Sequence, residues 1–379
     1  MKKIGIIAEF NPFHNGHVYF LKQVKKQFPK SFITVILTTN FSERGEISLL
    51  SKWDKTRICL KYGVDLVIEL PLYFATNGAD IFSENAIKLL SALNMDYLIF
   101  GSETNDVEIL KTLASTILYH KDYNDLLKKH LKLGNSYPSA VSKALYNITH
   151  INLINSNDIL GVTYIKTILE HEYNIKPLTI QRTNNYLDKN ISGDISSATS
   201  IRELYFKGQN INNYIPMETL KYLNINKDII NNYFYLLKYK IISDIDNLDN
   251  YLDVKEGIEF KIKKEILKAN NYFELLESLK SKRYTYNKLN RMFLHILLNI
   301  KKDDEYNLDY IRILGFSKQG RKYLKDNKDN IYYQVITNYK DTDNKSLKLE
   351  LRSTILYSHI RNDENIIKEE LKSIPIQDN

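Results

Sequence analysis

Short apolar runs alternate with amphipathic stretches along the first hundred or so residues of the chain. Ile4 to Ala8 is continuously apolar and stops at Glu9-Phe10-Asn11-Pro12-Phe13. This predicts a buried strand running into a turn, because Pro12 has no N–H to give a sheet and restricts Asn11. After His14-Asn15-Gly16-His17, apolar residues recur at helical spacing at Val18, Leu21, Val24 and Phe28. Phe32 to Leu37 predicts a second strand, and Ser51-Lys52-Trp53-Asp54 opens a helix carrying Ile58 and Cys59. Val64 to Leu70 predicts a third strand, Asp80 to Leu93 a helix, and Tyr97 to Phe100 a fourth strand ending at Gly101-Ser102. Such alternation predicts an α/β fold, a doubly wound, mostly parallel sheet with helices on both faces. Ligands of such sheets bind beyond the carboxyl ends of the strands. The polar segments Asn11 to His17, Thr39 to Glu46 and Gly101-Ser102 fall there.

Farther along, Asn105 to His150 and Asn157 to His171 read as helical, Pro177 to Gln181 as a strand, and Ser200 to Phe206 as the start of a helix. Gly208-Gln209-Asn210 interrupts the periodicity, so an α/β unit over 1–208 and a mainly helical unit over 209–379 are expected. In the second unit, 216–242 and 255–300 are helical in pattern and rich in lysine and tyrosine, and Ile374 to Asn379 reads as a loose tail.

The formal net charge of +8 favours a polyanionic partner such as nucleic acid. The single cysteine, Cys59, excludes a disulfide framework and a thiolate zinc cluster. The apolar run behind Lys2-Lys3 is broken by Glu9, Asn11 and His14 too early for a signal peptide. No stretch reaches the roughly 18 apolar residues of a membrane span. A cytoplasmic protein with no membrane contact is the expectation.

His14-Asn15-Gly16-His17 is the sharpest chemical signal. At a strand-to-helix turn, free N–H groups and the helix dipole favour phosphate, and imidazoles can donate to phosphoryl oxygens. The alternative is one capping histidine and one buried, satisfied histidine. No metal site is expected here, since Glu9 is the only carboxylate close in sequence. Ser196-Ser197-Ala198-Thr199-Ser200-Ile201-Arg202 offers hydroxyls and a guanidinium to the same anion, or else forms an ordinary capping box with Glu203. Arg44, Lys52, Arg57 and Arg182 are further candidate anion contacts, and Asn157 is a ligand contact or a cap. In Ser281 to Arg291, cations interleave with tyrosines as in segments that bind nucleic acid, or as on a solvated helix face.

These residues carry a resemblance. His14-Asn15-Gly16-His17 is similar to the HxGH signature of the nucleotidyltransferase superfamily, a Rossmann-like fold, and Ser197 to Arg202 resembles its second signature. Glu9 to His17 as a whole resembles the tRNA(Met) cytidine acetate ligase family. So do Arg44-Gly45-Glu46, Ser51-Lys52-Trp53, Gly63 to Pro71, Ala79 to Phe82, Phe100 to Glu103 and Lys282-Arg283-Tyr284-Thr285. The resemblance implies that ATP activates acetate as acetyl-adenylate, which then acetylates the wobble cytidine of elongator tRNA(Met) to N4-acetylcytidine. It implies that Ile7-Ala8-Glu9-Phe10-Asn11-Pro12-Phe13-His14-Asn15-Gly16-His17-Val18-Tyr19-Phe20 wraps ATP, completed by Gly101, Asn157 and Arg182. Catalysis would fall to His14, His17, Lys52, Thr199 and Arg202, and substrate contacts to Arg44, Lys282, Arg283 and Tyr284, with Mg²⁺ accompanying ATP. The chain departs from the family pattern at Glu43, where glutamine is expected beside Arg44-Gly45. No stable protein partner is implied. Two other readings use the same residues: a nucleotidyltransferase for a small phosphorylated metabolite, and an RNA-binding protein with a decayed catalytic unit.

Overall fold

The computed structural model describes residues 1–182, 195–223, 228–339, 343–372 and 374–378. Its strands are β1 (Lys3–Ala8), β2 (Phe32–Thr38), β3 (Leu66–Leu70), β4 (Tyr97–Ser102), β5 (Lys176–Gln181), β6 (Tyr310–Ser317), β7 (Gln334–Ile336) and β8 (Ile376–Asp378). They form one sheet in the order β5-β4-β1-β2-β3-β6-β7, with β8 also on β6. The five strands from β1 to β5 are mutually parallel, as the buried apolar runs predict. The chain steps from β1 to β2 and β3 on one side, then returns to β4 on the other side of β1. Strand order therefore reverses between β1 and β4, and a crevice opens at their carboxyl ends.

Two apolar layers cover the sheet. One, with Phe82, Leu90, Leu110 and Ile165, comes mainly from the helices between β3 and β5. The other, with Leu21, Val24, Trp53 and Ile58, comes from the helices Asn15–Gln27 and Lys52–Lys61. A third core lies among the helices Ile229–Ser243, Ile258–Ile266, Tyr272–Leu279, Tyr286–Leu297 and Lys345–Arg361. Among the described residues, no helix is long and apolar enough to cross a membrane.

The structure differs from the sequence reading chiefly toward the C-terminus. β6 runs antiparallel to β3 and extends the sheet of the first unit, so residues beyond 208 complete that sheet. Within the expected tail, Ile376, Gln377 and Asp378 form β8 and pair with Gly315, Phe316 and Ser317 of β6. An edge strand this short gives little periodicity to read, and its partner lies some sixty positions away. Just past the expected boundary, residues 211–219 fold back on the first polar turn: Asn15 N–H donates to Tyr214 O at 3.0 Å and Thr219 Oγ1 to Phe13 O at 2.9 Å.

Lys52 is where the C-terminal part most changes the reading. Its Nζ contacts Glu69 at 2.8 Å, Glu370 at 2.9 Å and Glu350 at 3.2 Å, and Arg312 pairs with Glu370 at 2.6 Å in the same cluster. All five side chains are within 1 % of complete burial. Burial and Arg312 both disfavour the Lys52 ammonium, but the three carboxylates outweigh them and hold its pKa above the ordinary lysine value. The amine is spent inside the protein, which corrects its expected role at phosphate or carboxylate.

Candidate active site

The crevice is a cavity of about 1200 Å³. The helix Asn15–Gln27 begins at it, and two histidines build the start of that helix. Gly16 N–H donates to His14 Nδ1 at 3.0 Å, while His14 N–H donates to His17 Nδ1 at 3.2 Å. This is a reciprocal capping box in which imidazoles replace the usual hydroxyl and carboxylate. The rings stack at 3.7 Å between centroids, against Phe10. A side chain on Gly16 would lie 2.8 Å from His14 Cε1, so glycine there leaves room for the ring. The histidines thus cap the helix and also line the cavity.

The capping bonds fix the tautomer. With both Nδ1 atoms accepting, a neutral ring carries its proton on Nε2, as a donor suited to phosphate oxygen. Burial, then the cations of Arg182 and Arg202, lowers the His14 pKa to about 3. Burial, then His14 and Arg182, drives His17 well below the ordinary histidine value. A histidine kept neutral when folded, with an ordinary pKa of 6.5 when unfolded, costs stability as pH falls through 6.5, because the unfolded chain then binds the extra proton. For His14 the loss by pH 5 is on the order of 2 kcal/mol. Urea unfolding of wild type and His14→Asn, which keeps a capping acceptor, is expected to show that acid-dependent loss in wild type and a smaller one in the variant.

The turn ahead of the helix is held from three sides. Lys55 Nζ donates to the carbonyls of Glu9 at 3.0 Å, Thr38 at 2.8 Å and Thr39 at 2.5 Å, joining the ends of β1 and β2 with all three ammonium donors. Asn11 Oδ1 accepts from Leu49 N–H at 2.9 Å. Arg202 donates to Asn11 O at 2.8 Å and pairs with Glu46 at 2.6 Å. The second motif begins the helix Ala198–Phe206, which Ser197 caps by accepting from Ser200 N–H at 3.1 Å. Thr199 lies on the cavity wall and accepts weakly from Arg202 at 3.4 Å.

The third wall follows β4. Asn157 donates to Glu103 at 2.5 Å, and Arg182 reaches both Asn157 Oδ1 at 3.3 Å and Glu103 at 3.4 Å. Gly101 admits the Arg182 stem, since a Cβ there would sit 3.0 Å from its Cγ. Asp158, buried beneath, accepts from Ser102 Oγ at 2.5 Å and from the Glu103 and Thr104 amides, which sets the shape of that loop.

Of the expected nucleotide contacts, the cavity is lined by Ile7 to Asn11, His14, Gly16, His17, Tyr19, Phe20, Gly101, Asn157 and Arg182. Pro12, Phe13, Asn15 and Val18 are buried behind the turn and support it. Arg44 is on the wall, and so are Arg283, from the bend before the helix Tyr286–Leu297, and Lys288 and Arg291, from that helix. Lys282 is exposed but outside the cavity. Tyr284 is corrected: it is 4 % exposed, and its hydroxyl donates to Lys255 O at 2.5 Å, so its ring has no face for a base. Sequence reasoning missed Lys55 and gave Glu46 and Arg291 no partner of their own, because their partners are main-chain carbonyls or distant loops that no spacing reveals. Among the described residues no group of three His, Cys, Asp or Glu could hold a metal ion.

Comparison with known proteins agrees with this arrangement. Residues 1–372 match the family model described as HIGH Nucleotidyl Transferase. The tRNA(Met) cytidine acetate ligase of Oceanobacillus iheyensis is 37 % identical over 95 % of both chains, and that of Caldicellulosiruptor bescii is 36 % identical over 99 % of this chain and 98 % of its own. The crystal structure of Thermotoga maritima TmcAL bound with alpha-thio ATP superposes with a TM-score of 0.85 at 28 % identity, covering 100 % of this chain and 99 % of that one. Its apo form gives 0.86 at 29 %. The paired-histidine turn, the second motif facing it and the full-length matches together make this chain a member of the tRNA(Met) cytidine acetate ligase family of HIGH nucleotidyltransferases.

Proposed function

We propose that this protein is a cytoplasmic ATP-dependent ligase that acetylates the wobble cytidine of elongator tRNA(Met) to N4-acetylcytidine, with acetate as acyl donor. One observation carries the reading: the paired-histidine turn, the second motif and cations from the C-terminal part all face a single cavity of about 1200 Å³. A small-metabolite nucleotidyltransferase needs the first two but has no use for Arg283, Lys288 and Arg291 on the same wall. Family membership supports the same choice, and so do the names of the relatives.

The reaction runs in two steps. An acetate oxygen attacks the α-phosphorus of ATP, the bond to the β-phosphate oxygen breaks, and pyrophosphate leaves with acetyl-adenylate retained. The cytidine N4 then attacks the acetyl carbonyl, the bond to the AMP oxygen breaks, and N4 loses a proton. Neither step requires a covalent protein nucleophile, so positioning and charge stabilisation supply the catalysis. His14 and His17 donate from Nε2 to the triphosphate and the departing pyrophosphate, and the neutral rings need no proton exchange to do so. Thr199 and the start of the helix Ala198–Phe206 hold the far phosphates. Arg202 keeps the turn and the second motif together. Glu103, Asn157 and Arg182 border the nucleoside end, and Arg44 faces the carboxylate. Mg²⁺ bound with the nucleotide would supply charge neutralisation to the phosphates beside His14, His17 and Thr199.

The test combines purified protein with ATP, Mg²⁺, isotopically labelled acetate and unmodified elongator tRNA(Met), followed by nucleoside mass spectrometry. Labelled N4-acetylcytidine at the wobble position is the expected product. ATP turnover and tRNA binding without labelled cytidine would overturn the assignment and favour a small nucleotidyl acceptor.

A further inference from the structure

Residues 41–47 form a small hairpin that touches three of the cavity walls. Phe41 bridges Ile47, Ser42 N–H donates to Glu46 O at 2.9 Å, and Gly45 N–H donates to Ser42 O at 2.9 Å. Toward the first motif, Glu43 N–H donates to the Glu9 carboxylate at 2.5 Å. Toward the second motif, Glu46 pairs with Arg202 at 2.6 Å. Toward the C-terminal part, the Glu43 carboxylate pairs with Arg291 Nη1 at 3.0 Å, each side chain only 17 % exposed. The backbones meet there too: Gly45 has φ +73°, and a Cβ on it would lie 2.6 Å from Arg291 N. Hairpin and helix therefore pack without an intervening side chain, and movement of one is felt by the other.

Arg291 also lines the cavity, beside Arg283 and Lys288. A guanidinium carries five donors in a fixed fork, and Glu43 takes one nitrogen. The others can hold a phosphate at the same time. Resting on the reading that RNA enters this cavity, we infer that Arg291 and Glu43 are positioning residues that couple the RNA strand to the triphosphate site. A backbone phosphate on Arg291 fixes its guanidinium, Arg291 fixes Glu43, and the hairpin then holds Glu9 and Arg202 in the geometry that receives ATP. RNA and ATP each tighten the binding of the other, as linkage requires.

The test is equilibrium binding of labelled ATP with and without saturating unmodified elongator tRNA(Met), in the absence of acetate. The RNA is expected to tighten ATP binding by about fivefold or more in wild type. In Arg291→Met and in the isosteric Glu43→Gln the ratio is expected to fall toward one, and the double variant is expected to lose no more than either single one. A merely structural role would weaken ATP binding equally with and without RNA and leave the ratio intact, which overturns the proposal. So does a wild-type ATP affinity that RNA does not change. Because no turnover is measured, this result stands apart from the acetylation assay: coupling without labelled N4-acetylcytidine would leave the relay standing and remove only the acetyl-transfer reading.

Discussion

Replacing His17 with alanine is expected to lower acetate-dependent AMP formation by about 10²–10³-fold, the usual loss when one charge-stabilising donor is removed from a reaction centre. The residue caps the helix and is proposed to donate to phosphate, and a second substitution separates the two. Its Nδ1 accepts from His14 N–H at 3.2 Å and closes the start of the helix, while its Nε2–H is the donor assigned to the phosphates. His17→Gln keeps an acceptor for the capping bond, as glutamine does at this position of an ordinary capping box, but not the rigid ring stacked at 3.7 Å on His14. His17→Gln is therefore expected to unfold near the wild-type urea midpoint and still to lose most of its rate. The ATP dissociation constant should rise less than the rate falls, because a contact that strengthens at the transition state is only partly formed in the ground state. Wild-type rates in a folded His17→Ala protein would remove this histidine from the chemistry.

Lys52→Met carries the largest expected effect on stability, and a different pattern. Removing the ammonium leaves Glu69, Glu350 and Glu370 around an apolar side chain, with Arg312 as the remaining cation. Breaking a buried ion cluster from one side typically costs about 3–5 kcal/mol. The cluster joins β3, the start of the helix Lys52–Lys61, β6 and the two last helices, Lys345–Arg361 and Asn365–Lys372, so the loss is expected in global unfolding. Denaturant unfolding measures it directly. In whatever fraction stays folded, ATP affinity should remain near wild type, because the amine faces carboxylates inside the protein. A stable Lys52→Met protein with weakened ATP binding would instead return Lys52 to the phosphate site.

The two histidines and Lys52 illustrate how unevenly the sequence reports its structure. Strand β1, the turn and the helix after it are contiguous, so apolar periodicity, Pro12 and the His14-Asn15-Gly16-His17 string report them locally. The same holds for β2 and β4, whose apolar runs each precede a polar loop, and for the second motif with its capping serine. Those local signals are enough for the α/β class and for placing the cavity at the strand ends. Tyr284 shows the limit: a tyrosine among exposed cations looks available for stacking, yet its ring is buried and its hydroxyl bonded to Lys255.

By itself, the sequence determined the parallel sheet, the cavity-lining turn and the family, since each depends on residues close together in the chain or on a motif read in order. Only the tertiary structure decided that β6 and β8 complete that sheet, that Lys52 balances Glu350 and Glu370 from some three hundred positions away, and that Arg291 meets Glu43. The physical reason is that a charged side chain has no intrinsic destination. Whether lysine holds phosphate or fills a buried carboxylate cluster depends on desolvation and on partners that only folding brings within about 3–4 Å.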